Sequence, residues 1–370
     1  MIARSLSEPL DALLPQLEQA GYTPVSPALL QPAAPFLDLS GEELRKRMYL
    51  TQGREGEELC LRPDLTIPAA LHHLDKHGVL PACYAYLGPV FRAEADGRNE
   101  RVQGGFENFG REDRAGADAG TLRQALDCVG LWGGDAPHIR MGDLELVDAF
   151  LAALQLAPAW QRRLRRSAAR ERGLDADLQA LARPLNNAAA ERTAFLATLD
   201  GADSHAARSV VEDLLSIAGI SQVGGRSAGD IAERLLEQAR LNAGAHVPEA
   251  AQEALMRFFA ISGPLPEAFT QVQKLAQEMD LELGGALDSF AERLRAFKEA
   301  GIDSRAVSFL TRFGRRLDYY TGFVFELHGS KSVLAGGGRY DTLLSTLGAP
   351  RPIPAVGCAL WIDSLRENAR

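Results

Sequence analysis

The sequence of 370 residues contains little cysteine and no long apolar run. Its cysteines are Cys60, Cys83, Cys128 and Cys358. No two of them have the CxxC spacing, which excludes a zinc ribbon or a thioredoxin-like redox motif. No stretch approaches the roughly 18 apolar residues of a membrane span, and charged residues and prolines interrupt the N-terminal segment where a secretion signal would be apolar. We therefore expect a cytoplasmic protein with free thiols and no membrane anchor.

An excess of positive charge is also absent. The chain has 40 Lys and Arg residues against 49 Asp and Glu residues, a net charge of −9 that would repel a polyanion. Nucleic acid is therefore not the expected partner. Apolar residues make up 46% of the chain and charged residues 24%, values typical of soluble globular proteins. This composition excludes a disordered or low-complexity chain, and the length suits two or three domains.

Composition predicts a core that is interrupted once. Residues 1–155 mix helix and strand signals, whereas residues 156–280 are rich in Ala, Leu, Arg and Glu and predict short helices broken at Gly201, Gly219 and Gly224-Gly225. Residues 281–370 return to the first pattern, beginning with a predicted amphipathic helix that ends before Gly301. We predict a core formed by residues 1–155 and 281–370, with residues 156–280 as a helical insertion.

Residues 84–113, YAYLGPVFRAEADGRNERVQGGFENFGRED, predict two strands joined by a long charged loop from about residue 95 to residue 105. Alternation along strands places two sets of residues each on one face: Val90, Arg92 and Glu94 on the first strand, and Phe106, Asn108, Gly110 and Glu112 on the second. A cation and a carboxylate could thus meet on one sheet surface. The alternative is a solvated sheet face with surface ion pairs.

Two further segments combine polar groups that could hold a small ligand. LRPDLT, residues 61–66, places Arg62, Asp64 and Thr66 at alternate positions, which suits an ammonium group but equally an Asp cap for the following helix. RRLDYYTGFVFEL, residues 315–327, is rich in aromatic and polar side chains. Its tyrosines could bind a ligand or could serve as amphipathic packing residues.

Three other motifs give weaker signals. AGGGRYD, residues 335–341, could bring a ligand close to bare backbone before a helix, but it lacks the spacing of a dinucleotide fold. HHLDKH places His73 and His77 four residues apart without a third ligand, so we predict a surface helix and no metal site. QRRLRRSAAR, residues 161–170, could contact RNA, although a solvated helix face is favoured.

Taken in order, these segments resemble the catalytic core of class II histidyl-tRNA synthetases. LRPDLT is similar to the element LRPEGT, and YLGPVFRAE with FENFGRE is similar to the strand-loop-strand of motif 2. RRLDYYTGFVFE and AGGGRYDTLL resemble the two histidine-specific segments, and VGCALWIDSL stands where motif 3 is expected. The resemblance implies an α+β fold, in which a class II aminoacyl-tRNA synthetase-like antiparallel sheet is flanked by helices and carries a helical insertion.

The departures from that pattern concern the ATP site and the tRNA site. Ser364 replaces the motif 3 arginine that contacts the triphosphate of ATP in the family, and a neutral hydroxyl cannot replace that guanidinium. The chain ends at Arg370, directly after motif 3, so we expect no anticodon-binding domain. The remaining departures lie in the pocket: Asp64 for Glu, Leu65 for Gly, Asn108 for Gln and Arg316 for Gly.

This combination resembles the regulatory subunits of ATP phosphoribosyltransferase, the synthetase-like paralogues that act in the first step of histidine biosynthesis. The resemblance implies a subunit without catalytic activity of its own and without a cofactor. It also implies a self-dimer through the N-terminal segment, a hetero-octamer with the short-form catalytic subunit, and histidine as feedback effector. We expect no binding of tRNA.

The resemblance also assigns the histidine-binding residues. Asp64 and Glu112 would hold the α-ammonium, Arg92 and Arg315 the carboxylate, and Tyr320 the imidazole, with Thr66, Asn108, Tyr319 and Tyr340 shaping the pocket. Two other functions stay open. One is a minimal histidine-activating ligase without a tRNA-binding domain, and the other is an RNA-binding protein that uses Arg162, Arg163, Arg165 and Arg166.

Overall fold

A computed structural model describes residues 8–39, 42–95, 97–170, 173–181, 222–223, 226–227, 247–315 and 319–369. The chain forms two compact units, one of Met1–Ala149 with Ala260–Arg370 and one of Phe150–Phe259. The second unit overlaps the predicted insertion of residues 156–280, but residues 260–280 belong to the first unit. The predicted helix breaks at Gly201, Gly219 and Gly224-Gly225 lie outside the described residues.

The strands of the first unit form one large sheet and one small sheet. Their bounds are β1 (Thr23–Pro24), β2 (Leu30–Pro32), β3 (Leu50–Gln52), β4 (Glu58–Leu61), β5 (Ala82–Phe91), β6 (Glu100–Phe109) and β7 (His138–Asp143). The second unit contains the short strands β8 (Gln222–Val223) and β9 (Arg226–Ser227). The remaining strands of the first unit are β10 (Ser262–Pro264), β11 (Val307–Leu310), β12 (Phe323–His328), β13 (Val333–Arg339) and β14 (Ala355–Trp361).

The large sheet has the strand order β1-β5-β6-β14-β13-β12-β7-β11-β10, and the small sheet the order β2-β4-β3. Neighbouring strands of the large sheet are antiparallel except for the pairs β1 with β5 and β11 with β7. The predicted antiparallel sheet is therefore confirmed. The strands come from both halves of the chain, so residues around 64, 107, 315 and 340 can meet on one sheet.

Helices accompany the sheet. Their bounds are α1 (Glu8–Gln19), α2 (Ala34–Leu39), α3 (Glu42–Arg45), α4 (Thr66–Asp75), α5 (Arg114–Gly130), α6 (Leu144–Ala153), α7 (Pro158–Arg170), α8 (Leu174–Leu181), α9 (Glu249–Ala260), α10 (Leu265–Glu278), α11 (Gly285–Glu299), α12 (Leu343–Thr346) and α13 (Ile362–Asn368). Helix α11 confirms the prediction for its segment, because Gly301 follows it with a φ of 68° and Ile302 N donates to Phe297 O at 2.8 Å.

The two faces of the large sheet have different coverings. On the face that we call the helix face, Phe106 packs edge-on against Tyr22, and Asn108 Nδ2 donates to Thr121 Oγ1 of α5 at 3.2 Å. On the opposite face, which we call the site face, α4 contributes Thr66 beside Tyr86. Because successive residues of a strand point to opposite faces, Glu107 lies on the site face, whereas Phe106 and Asn108 lie on the helix face.

A buried ion network joins the helices to the sheet. Arg293 of α11 donates to Asp118 of α5 at 2.9 Å and to Asp143 at 2.6 Å. Arg339 of β13 donates to the other oxygen of Asp118 at 2.7 Å. All four side chains are buried, so their mutual pairing offsets a large loss of hydration. The sequence does not predict this network, because the hydrophobic pattern of α11 gives no signal for a buried arginine.

The glycine-rich segment AGGGRYD does not form the predicted turn before a helix. Its first residues lie in β13, which pairs antiparallel with β12 and β14 in the middle of the sheet. A Cβ at Gly337 would overlap the backbone of β14, and a Cβ at Gly336 would overlap the guanidinium of Arg315. The glycines thus make room for neighbouring protein atoms, and only the short helix α12 follows.

None of the helices formed by the described residues could cross a membrane. Nor do those residues bring together three His, Cys, Asp or Glu side chains that could hold a metal ion. The prediction of surface histidines is wrong for His73, which is buried with its Nδ1 3.0 Å from the hydroxyl of Tyr84. His77 lies beyond the end of α4 with a φ of 49°, so the two histidines do not share a helical face.

Candidate functional site

The hairpin of β5 and β6 forms the floor of the site. The two strands pair Tyr86 with Gly105 and Phe91 with Glu100, so the connection is shorter than the predicted loop of residues 95–105. A Cβ at Gly105 would overlap the ring of Tyr86, which therefore needs this glycine in order to lie flat over β6. Its hydroxyl donates to Glu107 Oε1 at 2.7 Å. The hairpin register thus pairs a tyrosine with a buried carboxylate.

Glu107 is the central carboxylate of the site. Its second oxygen, Oε2, accepts a hydrogen bond from the hydroxyl of Tyr340 and occupies the space that a Cβ at Gly357 would need. Within the described part of the chain, no cation forms an ion pair with it. Burial raises the pKa of Glu107 to about 7, although hydrogen bonds from Tyr340 and Tyr86 oppose this shift.

The geometry of Asp64 is compatible with both roles that its sequence pattern left open. Its Oδ1 accepts a hydrogen bond from Ile67 N at 3.2 Å in the first turn of α4. Its Oδ2 is buried without a hydrogen-bond partner among the described residues. Burial raises the pKa of Asp64, and the positive charge of Arg92 opposes the shift. One oxygen therefore caps the helix, and the other can accept a hydrogen bond from a ligand.

Arg92 lies where β5 ends. Its Nε donates to Pro63 O at 2.7 Å, and its guanidinium lies 5.4 Å from the ring centroid of Trp361. Burial lowers the pKa of Arg92, and Asp64 opposes the shift. The backbone contact and the indole fix the direction of the guanidinium, which is what bidentate binding of a carboxylate requires.

Arg315 approaches the site from the segment before β12. Its guanidinium lies over the ring of Tyr320 at 5.8 Å, and its Nε is 3.8 Å from Glu326 Oε1. Burial by itself would lower the pKa of Arg315, but Tyr320 and Glu326 outweigh it and the pKa is raised. Its Nη1 is buried and makes no hydrogen bond to any described residue. This arginine therefore keeps a donor available for an anion.

Three tyrosines line the space between these charges. The ring centroids of Tyr319 and Tyr320 are 5.0 Å apart, and those of Tyr319 and Tyr340 are 5.7 Å apart. All three side chains are buried. Burial raises the pKa of Tyr320 to about 12, so that its hydroxyl is protonated at neutral pH. The pKa of Tyr319 rises for the same reason, and the negative charges of Asp64 and Glu107 contribute, which places both carboxylates near its ring.

The structure brings most of the predicted site residues together. The ones that meet on the site face are Asp64, Thr66, Arg92, Arg315, Tyr319, Tyr320 and Tyr340. Together with Tyr86 and Glu107, we call this group the tyrosine–carboxylate pocket. Arg316, which was noted as a departure from the synthetase pattern, lies outside the described residues.

The structure does not bring Asn108 and Glu112 to the tyrosine–carboxylate pocket. Asn108 lies on the helix face, where it bonds to Thr121 and accepts from Cys83 Sγ at 3.2 Å. Strand β6 ends at Phe109, and Gly110 has a φ of 79°, so the alternation that linked Asn108 to Glu112 stops there. Glu112 is exposed in the following loop. Both residues must therefore be removed from the predicted pocket.

Tyr86 and Glu107 belong to the pocket but were not among the residues predicted from the sequence. The signal that could have found them is the alternation itself, since a glutamate between Phe106 and Asn108 must face away from both. An antiparallel hairpin of ten-residue strands then places Tyr86 opposite Gly105, next to that glutamate. The alternation does not show which face of the sheet the helices cover. It therefore cannot decide which of the two alternating sets of β6 residues lines the pocket.

A cavity of about 250 Å³ lies beside Arg92. It is lined by Val90, Arg92, Glu94, Arg98, Asn99, Arg101, Ser332, Val333, Trp361 and Ser364. Ser364, at the position of the motif 3 arginine, thus reaches the wall of a cavity that it shares with the arginine of motif 2. A hydroxyl at this wall supplies no positive charge.

Comparison with known proteins identifies the family of the chain. The family model of histidyl-tRNA synthetase matches residues 2–222 and 205–365. An ATP phosphoribosyltransferase regulatory subunit of Brucella canis is 38% identical over 374 residues, covering 100% of this chain and 99% of the relative. The chain belongs to the family of ATP phosphoribosyltransferase regulatory subunits. The subunit from Brucella melitensis biotype 1 is also 38% identical, over 100% of this chain and 98% of its own length.

Solved structures extend the family assignment to the fold. The crystal structure of an ATP phosphoribosyltransferase regulatory subunit/histidyl-tRNA synthetase from Bacillus halodurans C superposes with a TM-score of 0.70 at 21% identity, covering 99% of this chain and 79% of that chain. Histidyl-tRNA synthetase from Nostoc sp. PCC 7120 gives a TM-score of 0.64 at 16% identity, covering 98% and 70%. The regulatory-subunit chain therefore has the class II synthetase-like fold that its motifs imply.

Proposed function

We propose that this chain is a regulatory subunit that binds histidine in the tyrosine–carboxylate pocket and changes the activity of a separate, short-form catalytic subunit of ATP phosphoribosyltransferase. That enzyme carries out the first step of histidine biosynthesis, so the site would provide feedback by the end product. Feedback requires only that histidine bind one state of the complex better than another.

The observation that supports the proposal is that one pocket contains two buried polar atoms, on side chains of opposite charge, that have no hydrogen-bond partner among the described residues. Asp64 Oδ2 and Arg315 Nη1 are both buried without a hydrogen-bond partner in the described part of the chain. A buried polar atom without a partner costs free energy, which a ligand that completes its hydrogen bonds restores. An α-amino acid supplies an ammonium for Asp64 and a carboxylate for Arg315 and Arg92.

Calorimetric titration of histidine into the purified chain tests this assignment. We expect binding without ATP, and Asp64→Asn should weaken it by roughly 10- to 100-fold, because asparagine keeps the cap on α4 but loses the charge that faces the ammonium. Asp75→Asn is the matched control, since Asp75 is exposed at the other end of α4. Equal affinity in wild type and Asp64→Asn would place the amino acid elsewhere.

The same proposal gives the chain no catalytic role of its own and no cofactor. Adenylate formation needs positive charge on the triphosphate, and Ser364 supplies none. The rival function, a minimal histidine-activating ligase, draws support from Arg98 and Arg101, which line the same cavity. Arg98, however, pairs with Glu367 at 3.4 Å, which offsets its positive charge.

Histidine-dependent exchange between ATP and pyrophosphate separates these two functions. A regulatory subunit should show no exchange above background. Exchange at about 1 per second or faster, a rate typical of enzymes, would establish the ligase instead.

The third function is RNA binding through α7, where Arg163 makes contacts within the second unit. Arg163 pairs with Asp177 of α8 at 2.7 Å, and its guanidinium lies 5.6 Å from the ring centroid of Trp160. This supports a role in packing the helices. We expect no binding of tRNA, whereas binding that falls steeply with salt would favour the RNA-binding function.

The assembly implied by this role is a self-dimer through the N-terminal segment within a hetero-octamer, located in the cytoplasm. The four cysteines are free thiols, which suits a reducing compartment. Analytical ultracentrifugation of this chain, alone and with the catalytic subunit, should show a dimer and then a complex of eight chains. A monomer that does not associate with the catalytic subunit would contradict the proposal.

A further inference from the structure

Glu326 of β12 contacts the side chain of Arg315. The Nε atom of Arg315 is 3.8 Å from Glu326 Oε1, and its guanidinium occupies the space that a Cβ at Gly336 would need. Gly336 lies directly opposite Glu326 in the antiparallel pair of β12 and β13. The glycine therefore leaves room for the guanidinium beside the carboxylate, and the orientation of Glu326 affects where Arg315 points.

Glu326 is itself held by a histidine. Its Oε2 lies 3.0 Å from Nε2 of His328, two residues further along β12. Burial alone would raise the pKa of Glu326, but the hydrogen bond from His328 and the positive charge of Arg315 outweigh it, so that the pKa is lowered. An ionised carboxylate only accepts hydrogen bonds, so the hydrogen of this bond lies on His328 Nε2. One oxygen of Glu326 thus faces the histidine, and the other faces the arginine.

The contacts of Glu326 lead from the surface to the pocket. Phe323 of β12 packs edge-on against Phe297 of α11, so the alternation of the strand places Glu326 and His328 on the site face. The side chain of His328 is 26% exposed, whereas that of Arg315 is 10% exposed. Glu326 therefore joins a side chain that solvent can reach to one that lies inside the tyrosine–carboxylate pocket.

The neighbouring strand β7 carries a second histidine in a matching position. His138 lies directly opposite His328, and its Nε2 is 2.9 Å from Ser308 Oγ. It shares the residue type and the register position of His328, but its ring nitrogen contacts the hydroxyl of Ser308 in place of the carboxylate of Glu326. The two histidines therefore differ in the partner through which each could act.

We propose, on the basis of the function proposed above, that His328 and Glu326 are positioning residues for the effector site. His328 orients Glu326, and Glu326 holds Arg315 with its Nη1 available for the carboxylate of histidine. Neither residue contacts the ligand in this arrangement. A side chain that is already held in its binding position loses less conformational freedom when the ligand arrives, and a long side chain such as arginine has much freedom to lose. Removal of the His328 imidazole should therefore weaken the binding of histidine through Arg315.

The test compares histidine with histidinol, in which a hydroxymethyl group replaces the carboxylate. Both ligands are titrated by calorimetry into wild type, His328→Ala, His328→Gln and His138→Ala. We expect His328→Ala to lose roughly 3- to 10-fold in affinity for histidine, the contribution of about one hydrogen bond, and to bind histidinol as wild type does. His328→Gln should keep most of the affinity for histidine, because its amide supplies an N–H donor. His138→Ala is the matched control and should bind both ligands as wild type does.

A double-mutant cycle shows whether His328 acts through Arg315. His328→Ala should have no further effect on histidine affinity in an Arg315→Ala background, because the side chain that it positions is then absent. Glu326→Gln should weaken the binding of histidine in the wild-type background and should likewise have no effect in the Arg315→Ala background. A loss of the same size in both backgrounds would overturn the positioning role.

The outcomes distinguish this role from the proposed function. If His328→Ala and Glu326→Gln bind histidine as tightly as wild type, or lose affinity for histidinol to the same extent, the positioning role is wrong and the histidine pocket remains. Absence of histidine binding by wild type would overturn the proposed function itself, and with it the role of His328.

Discussion

At the scale of the residue, the chemistry of the pocket depends on carboxylates that the protein itself does not neutralise. Asp64 keeps one oxygen without a partner among the described residues, and Glu107 is held there by hydroxyl groups, those of Tyr86, Tyr340 and Thr66. Burial raises the pKa of both carboxyl groups. Such an arrangement is costly for the folded state and becomes favourable when a cationic ligand is bound.

The raised pKa of Glu107 predicts how stability depends on pH. A folded-state pKa of about 7 against an ordinary value of 4.5 means that the folded protein binds the proton more tightly. The resulting stabilisation is complete below the ordinary value and is lost as pH rises through about 7, in total about 3 kcal/mol. Urea unfolding of Glu107→Gln should therefore show less decline in stability between about pH 5 and pH 8 than wild type. Glu112→Gln should follow wild type, and parallel profiles for all three proteins would contradict the assignment.

At the scale of the element, β13 combines two requirements in adjacent glycines. Gly337 lies against the backbone of β14, which cannot move without disrupting the sheet. Gly336 lies against the guanidinium of Arg315, the end of a flexible side chain. In this strand, Gly337 is therefore needed for sheet packing, and the neighbouring Gly336 leaves room for Arg315 of the pocket.

Alanine substitutions should separate these roles. Gly337→Ala should destabilise the fold by about 1 to 3 kcal/mol, since a rigid neighbour must shift. Gly336→Ala should leave the unfolding midpoint close to that of wild type but weaken histidine binding by roughly 10-fold, because Arg315 must leave its position. Thermal unfolding and calorimetry measure the two effects, and a Gly336→Ala variant with unchanged histidine affinity would show that Arg315 does not contact the ligand.

The ion network between α5, α11 and β13 is a second feature of this scale. Asp118→Asn should cost about 3 to 5 kcal/mol of unfolding free energy, because Arg293 and Arg339 would both lose a buried counter-charge. Asp127→Asn on the same helix removes only an exposed pair with Arg123 and should cost about 0.5 kcal/mol or less. Similar unfolding curves for the two variants would mean that the network contributes little.

At the scale of the whole molecule, the proposed function predicts that binding and assembly can be separated. Coupling between histidine and a separate catalytic subunit requires about 1 to 3 kcal/mol, equivalent to a 5- to 150-fold change in apparent affinity. Tyr320 is buried in the pocket and Arg315 is largely buried there, so changing them should weaken the effector response with little loss of surface contacts.

Tyr320→Phe and Arg315→Ala test this separation. Both variants should still assemble with the short-form catalytic subunit, as measured by sedimentation, and both should need more histidine to inhibit phosphoribosyl transfer. Inhibition curves identical to wild type in both assembled variants would place the effector site on the partner or at the junction between subunits.

The sequence alone determined the family, the antiparallel sheet and most of the pocket, because LRPDLT and RRLDYYTG are short motifs whose neighbours in the chain fix their local structure. It also determined the loss of the motif 3 arginine at Ser364. Only the tertiary structure decided which face of β6 is the site. Helices cover the face of Asn108, and Gly110 turns the chain away before Glu112, so Glu107 becomes the buried carboxylate. The alternation of a strand is a local property, whereas the choice of face depends on which distant helices pack against the sheet.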